Sequence, residues 1–245
     1  MSTKENEGKY ISNLTAKEKK WVYSKPFGDY SFNESFLRIR DFSYIIELLV
    51  LREGKKYSLL DLGCGPGWTS IMLSKLGISV TGVDISKDMI DIAKSRAKKE
   101  GVKINFVISD IEKISFENRF DRVLSYDALH HCPDELEVLK NAFRALKPGG
   151  RILLVEPNKK HAYDAKAQAA AKRFGILEKG YSPSYLKKEM TKIGFKNITR
   201  YHCNYGLNKP MGPDLRSFIS KLVRIILGRT FFSYYASQVW LSATK

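Results

Sequence analysis

Cysteine is scarce in this chain: Cys64, Cys132 and Cys203 are the only three in 245 residues, an odd number set far apart. Such spacing makes no disulfide framework, so a reducing compartment is expected, by default the cytoplasm. Long apolar runs are missing as well. The longest falls far short of the roughly 20 residues a helix needs to cross a bilayer, so no transmembrane segment is expected. The first thirty residues hold no apolar stretch of the kind a secretory signal carries. Acidic residues run short mainly toward the C-terminus. Residues 159–245 contain 17 Lys and Arg against 4 Asp and Glu, a net +13, whereas residues 1–158 carry +3. What remains is ordinary globular composition, 43% hydrophobic and 28% charged. That is too apolar for a disordered chain and suits one sizeable α/β domain better than two independent ones.

Strand and helix signals alternate through the middle of the chain. Short apolar runs at Tyr57–Leu62, Ile78–Val83, Lys103–Val107, Phe120–Ser125 and Arg151–Glu156 read as buried strands. Helical patterns follow at Trp68–Leu76, from Ser86 as N-cap to about Lys99, and at Pro133–Leu146, where Lys147-Pro148-Gly149-Gly150 is a stop signal. Five strands with interleaved helices imply a parallel sheet covered on both faces. Beyond Pro157 the rhythm loosens. Residues 161–174, Ser184–Ile193 and Leu215–Leu227 read as helices, 204–216 as a loop, and Lys196–His202 and Ser237–Ala243 as strands. Ahead of the sheet, Phe36–Leu51 is an amphipathic helix, and residues 1–25 look frayed and polar. The organisation expected is an N-terminal helical cap over 1–52 and a main domain over 53–245, with insertions at about 157–180 and 204–235.

The stretch Asp61-Leu-Gly63-Cys64-Gly65-Pro-Gly67-Trp68 directly follows the first strand. Alternate glycines let a ligand approach the backbone with no Cβ in the way, and the next helix turns its free N–H groups and positive dipole end toward it. A nucleotide-type cofactor is expected at this strand end. The dinucleotide fingerprint G-x-G-x-x-G would need a third glycine where Trp68 stands, so NAD is disfavoured. A phosphate loop fails because no Gly-Lys-Ser/Thr follows.

LLDLGCGPGW at 59–68, Asp84 in VTGVDIS, Ser109-Asp110 after the third strand, FDRVLSYDALHH at 120–131 and LKPGGRILLVEP at 146–157 stand in one order and spacing. On these motifs the chain resembles the class I S-adenosylmethionine-dependent methyltransferases over about residues 57–157, and YSPSYLKKEMTKIGFKNITR resembles their last helix and strand. The resemblance implies a Rossmann-like, doubly wound α/β sheet of seven strands, order 3-2-1-4-5-7-6 with strand 7 antiparallel. It also implies S-adenosylmethionine as cofactor. Asp61, Gly63, Cys64, Gly65, Gly67 and Trp68 would surround the methionine moiety, and Asp84 would take the ribose hydroxyls. Asp110 would meet the adenine amino group, with Ile85, Met89 and Ile111 as apolar plates. Ser125 and Tyr126 would end beside the sulfonium. If the acceptor is a hydroxyl, His131 is the first candidate base and Glu156 the second.

No metal is expected. Neighbouring residues such as His130, His131 and Cys132 point in different directions, and neither they nor His202-Cys203 show zinc spacing. The acceptor expected is a small molecule, and clustered positive charge favours an anionic one, with a saccharide or lipid-linked compound as further options. Aromatics between residues 20 and 50 (Trp21, Tyr23, Phe27, Tyr30, Phe32) suit a ring or sugar. The same charge keeps an RNA methyltransferase as the alternative, although no tetrad such as Asn-Pro-Pro-Tyr follows the fourth strand. A peripheral membrane contact through 215–227 and a non-catalytic cofactor-binding protein are lesser readings.

Overall fold

Leu59 and Leu60 are adjacent and fully buried, yet they join different cores, because successive strand residues face opposite sides of a sheet. That alternation with no solvent face marks a sheet covered on both sides. The computed structural model describes residues 3–27, 32–201 and 238–245, without the side chains of 32–34. His202, Cys203, Tyr30, the loop and helix expected over 204–227 and the whole of 204–235 lie outside the described residues.

In chain order, β1 is Ser58–Leu62, β2 Ser79–Asp84, β3 Asn105–Ile108, β4 Phe120–Tyr126, β5 Leu146–Pro157, β6 Lys196–Tyr201 and β7 Gln238–Thr244. They form one sheet of order β3-β2-β1-β4-β5-β7-β6, with β7 antiparallel to both β5 and β6. The expected topology therefore stands. On one face lie α3 (Phe32–Leu48) and α4 (Trp68–Lys75), whose Ile45, Leu48, Trp68 and Leu73 meet Leu124, Val155 and Trp240. On the other, α6 (Glu135–Ala145) and α8 (Pro183–Ile193) bring Leu139, Ala142, Leu186 and Met190 against Leu60, Val123 and Leu154. A third cluster seats α5 (Lys87–Lys99) on β3 through Ile90, Ala93 and Phe106.

Local chemistry sets the helix limits. Ser86, Asp134 and Ser182 each accept a hydrogen bond from the third residue of the helix they start, and Gly194 ends α8 with a left-handed turn. The pattern expected over 161–174 splits at Asp164, which caps α7 (Ala165–Phe174). The Lys147–Gly150 stretch, read as a stop, instead carries the first residues of β5, because β4 pairs with Leu146 across a register shift.

The N-terminus departs most from expectation. Residues 3–27 hold α1 (Thr3–Gly8), a 3-10 turn and α2 (Ala16–Tyr23), the last opened by a reciprocal capping box between Thr15 and Glu18. Ile11, Leu14 and Val22 bury their side chains against Met89, Ile92 and Phe174. A polar sequence with one small apolar stripe thus becomes a cap on α5 and α7.

Candidate active site

A cavity of about 350 Å3 opens at the C-terminal ends of β1, β2 and β4, beneath that cap. Of the residues singled out from sequence, Gly63, Cys64, Gly65, Trp68, Asp84, Ile85, Met89, Asp110, Ile111, Tyr126 and His131 line it. Asp61, Gly67, Ser125 and Glu156 do not.

Asp84 closes β2 with both carboxylate oxygens held by backbone: Gly65 N–H donates to Oδ2 at 2.8 Å and Ser86 N–H to Oδ1 at 2.9 Å. Burial raises its pKa, and the two amides work against that rise. Each oxygen keeps a lone pair for a ligand. A Cβ built on Gly65 would meet nothing within 4 Å, so this glycine faces open cavity; its φ of +51° sits in the left-handed region. Gly67 differs. Its Cβ would stand 2.9 Å from Ala93 Cβ and 3.1 Å from the Phe106 ring, so its bareness admits α5 rather than a ligand. Trp68, in the place where a dinucleotide loop keeps glycine, is buried with its ring edge-on to Tyr126 at 5.5 Å.

Asp61 is turned into the fold, accepting from Thr69 Oγ1 at 2.7 Å and Ser70 Oγ at 2.6 Å. Burial pushes its pKa to about 6 against those hydroxyls. It fastens β1 to the first turn of α4. Asp110 accepts from Glu112 N–H at 3.0 Å and from Lys4 Nζ at 2.5 Å, and Lys4 also pairs with Glu112. The cap is thereby tied to the cavity wall across 106 residues of sequence.

Of the two expected bases, Glu156 is enclosed and His131 lines the cavity. Glu156 is fully buried, and its Oε1 accepts from Ser125 Oγ (2.7 Å), Leu129 N–H (3.0 Å) and Ala128 N–H (3.3 Å). Its Oε2 meets His130 Nδ1 at 3.0 Å and His130 N–H at 3.4 Å. Glu156 braces the 3-10 turn Leu129–His131 from below. His131 does line the cavity, but its Nδ1 lies 2.7 Å from the Leu177 carbonyl and 3.3 Å from Glu7 Oε1. Burial draws its pKa down; Glu7, Glu178 and the Leu177 carbonyl more than reverse this and lift it to about 10. An imidazolium at neutral pH has no lone pair with which to take a proton.

The histidines also sit closer together than sequence reasoning allowed. Within the 3-10 turn the His130 and His131 rings lie 3.9 Å apart, and ligand atoms of His130, His131 and Glu178 all fall within 4.8 Å of one another. Each already has a protein partner: His130 has Glu156, His131 has Leu177 and Glu7, and Glu178 has His161 Nε2 at 2.7 Å.

Several lining residues had no sequence signal assigned. Lys4, Glu7, Tyr10, Lys25 and Arg38 come from the cap and α3, and Ile176 and Glu178 from the segment after α7. The Thr15–Glu18 capping box and the spacing of Ile11, Leu14 and Val22 were the available clue to the cap. Asp127, a non-glycine residue at φ +57°, directly follows β4 on the cavity wall in the kind of conformation that clusters at functional sites.

Residues 59–150 match a family model described as a methyltransferase domain. A ubiquinone biosynthesis O-methyltransferase of Coxiella burnetii is 37% identical over 137 residues, which cover 55% of this chain and 58% of that protein. The chain therefore spans little more than half the length of that relative. An enzyme of the same name from Vibrio parahaemolyticus is 30% identical over 174 residues, covering 66% of this chain and 73% of its own. In structure, phosphoethanolamine N-methyltransferase 2 of Haemonchus contortus, solved with S-adenosyl-L-methionine, superposes with a TM-score of 0.68 at 19% identity, covering 98% of this chain and 60% of that one. At that identity the likeness speaks to the fold. With strand order, glycine loop and strand-end carboxylates agreeing, the chain belongs to the class I S-adenosylmethionine-dependent methyltransferase family.

Proposed function

We propose that the protein transfers a methyl group from S-adenosylmethionine to a small-molecule acceptor. The observation that carries this reading is Asp84, fixed by the Gly65 and Ser86 amides at the mouth of the glycine loop, with lone pairs aimed into a cavity that Gly65 leaves bare. Bound there, S-adenosylmethionine supplies a methyl already activated by its sulfonium. The residues fit that group. Asp84 accepts from the ribose hydroxyls, Ile85, Met89 and Ile111 flank the base, Asp110 accepts from its amino group, and the Gly63–Gly65 backbone borders the methionine end. Trp68 and Tyr126 hold the wall nearest the acceptor, with Tyr126 kept in place by a 2.8 Å hydrogen bond from its hydroxyl to Asp41.

Because Glu156 is enclosed and Glu7 and Glu178 favour the charged form of His131, this reading rests catalysis on alignment. Positioning of reactants can supply roughly 7–11 kcal/mol, more than the 10²–10⁴-fold typical of a general base. The names of the curated relatives direct the reading toward an oxygen nucleophile. Thermal-shift measurements test the cofactor: S-adenosylmethionine and its demethylated product raise Tm, and NAD does not. An equal rise with NAD overturns the reading.

A further inference from the structure

The parallel strands all start at the end of the sheet opposite the cavity, and positive charge lines that end. In strand order from one edge to the other, Lys103 stands just before β3, Lys56 before β1, Arg119 before β4, Lys147 at the start of β5, Lys245 after β7 and Lys196 at the start of β6. Neighbouring strands lie about 4.8 Å apart, so this row spans roughly 29 Å of sheet width. Contacts between the loops hold it together. Lys147 Nζ reaches Ser58 Oγ at 3.4 Å and Asp121 Oδ1 at 2.9 Å, and Lys245 Nζ reaches Asn118 Oδ1 at 2.9 Å and the Leu146 carbonyl at 2.7 Å. None of the six cations lines the cavity.

Local acids do not cancel this charge. Glu100 is taken by Lys75, Asp121 by Lys147, and Glu137 by Arg144 and Lys140. Glu47, Glu53 and Glu117 remain, with a main-chain carboxylate at residue 245. Against them stand Lys55, Lys56, Lys98, Lys99, Lys103 and Lys196, all exposed and, among the described residues, without an ion-pair partner. Lys98 and Lys99 answer the negative end of α5; the cations at the strand starts have no such duty. Aromatic faces at this end are already covered. Arg119 lies over Phe116 and Phe120, 5.2 and 5.5 Å from their centroids, Arg122 over Tyr57 at 4.6 Å and Lys245 over Phe143 at 5.0 Å. Among the described residues Leu76 is the one large apolar side chain exposed there.

We propose that this end of the sheet binds the sugar–phosphate backbone of a single nucleic-acid strand without reading its sequence. A line of positive charges fits a linear polyanion whose own charges recur every few ångströms. A lipid surface presents a plane instead, and a lone Leu76 gives it little to anchor. With the rings covered, contacts go to phosphates and not to bases, and phosphate contacts carry no sequence information. The bound strand is not the methyl acceptor, because the row lies at the far end of the sheet from the cavity. The inference stands independently of the methyl-transfer reading.

Fluorescence anisotropy with labelled oligouridylate, oligothymidylate and oligoadenylate is measured on the full chain across a salt series, with and without saturating S-adenosylhomocysteine. One variant combines Lys56→Gln, Lys103→Gln, Arg119→Gln and Lys196→Gln. A control combines Lys9→Gln, Lys17→Gln, Lys166→Gln and Lys172→Gln, the same loss of charge at exposed positions on the cap and α7. The three oligonucleotides should bind with similar affinity, and S-adenosylhomocysteine should leave it unchanged. The first variant should bind about tenfold or more weakly, with a log–log salt slope shallower by about 3, since each lost phosphate contact removes about 0.7. The control should stay near wild type. Thermal melting by circular dichroism shows that each variant is folded; if the fourfold variant is not, the double variant Lys56→Gln, Lys196→Gln should lose about half as much slope. Unchanged binding in the folded variant, equal weakening in the control, or displacement of the strand by S-adenosylhomocysteine overturns the proposal. So does binding of phosphatidylglycerol vesicles without binding of any oligonucleotide, or no binding of either.

Discussion

Replacing Glu156 tests whether that residue is a brace rather than a base. Three of its contacts are short: Ser125 Oγ at 2.7 Å, Leu129 N–H at 3.0 Å and His130 Nδ1 at 3.0 Å. Two more amides, of Ala128 and His130, lie at 3.3 and 3.4 Å. With no solvent to replace the carboxylate, Glu156→Ala strands these donors in a dry pocket, and removing one partner of a buried charged group costs about 3–5 kcal/mol. At about 2–4 °C per kcal/mol for a protein of this size, Tm falls by about 6–20 °C. Glu156→Gln keeps the shape and one acceptor oxygen, and its NH2 finds a partner only if His130 Nδ1 becomes an acceptor, so its loss is about half as large. Urea unfolding at pH 7 followed by circular dichroism measures both. A Glu156→Ala protein within 1 kcal/mol of wild type refutes the bracing argument.

Asp84→Ala, read by calorimetry with S-adenosylhomocysteine, should weaken binding by about 1–3 kcal/mol, or roughly 5- to 150-fold; wild-type affinity removes Asp84 from the site. For His131 the folded pKa of about 10 lies above the ordinary 6.5. Its ion pair therefore stabilises fully below about pH 6.5 and fades as pH rises through about 10. Glu7→Gln should bring the His131 NMR titration back toward neutrality, and an unmoved midpoint would show that Glu7 is not the cause. Asp61→Asn retains an oxygen for Thr69 and Ser70 and removes a buried charge, so stability at pH 7 should stay within about 1 kcal/mol of wild type or rise. A loss above 2 kcal/mol in urea unfolding contradicts that account.

The sheet was legible in the sequence because its signals are local. Apolar runs, Ser86 as N-cap and Gly194 as terminator act over a few residues, and all sit where the pattern placed them. The order within residues 1–25, read as frayed, was not, because helices as short as α1 and α2 gain little alone and are held by partners far along the chain, such as Glu18 with Arg173 and Asn6 with Gly175. Asp61 and Asp84 look alike as strand residues, yet one faces two hydroxyls in the core and the other two amides at the cavity. Only β1–α4 packing separates them. Glu156 carries the appearance of a strand-end acid, and what encloses it is the pairing of β5 with β7 opposite Val239, a contact across more than 80 residues. The closeness of the two histidine rings depends on a 3-10 turn that no periodicity announces.

The antiparallel seventh strand has a consequence for how this scaffold can vary. Tyr201 leaves β6 opposite Trp240, and Gln238 enters β7 opposite Pro157, the end of β5 nearest the cavity. The thirty-six residues between are thus joined at both ends to paired strands of the sheet. Doubling the length of such a tethered span adds only about 0.6 kcal/mol of closure entropy. New sequence can be spliced between those two posts at little entropic cost while the strand pairing that holds them is kept.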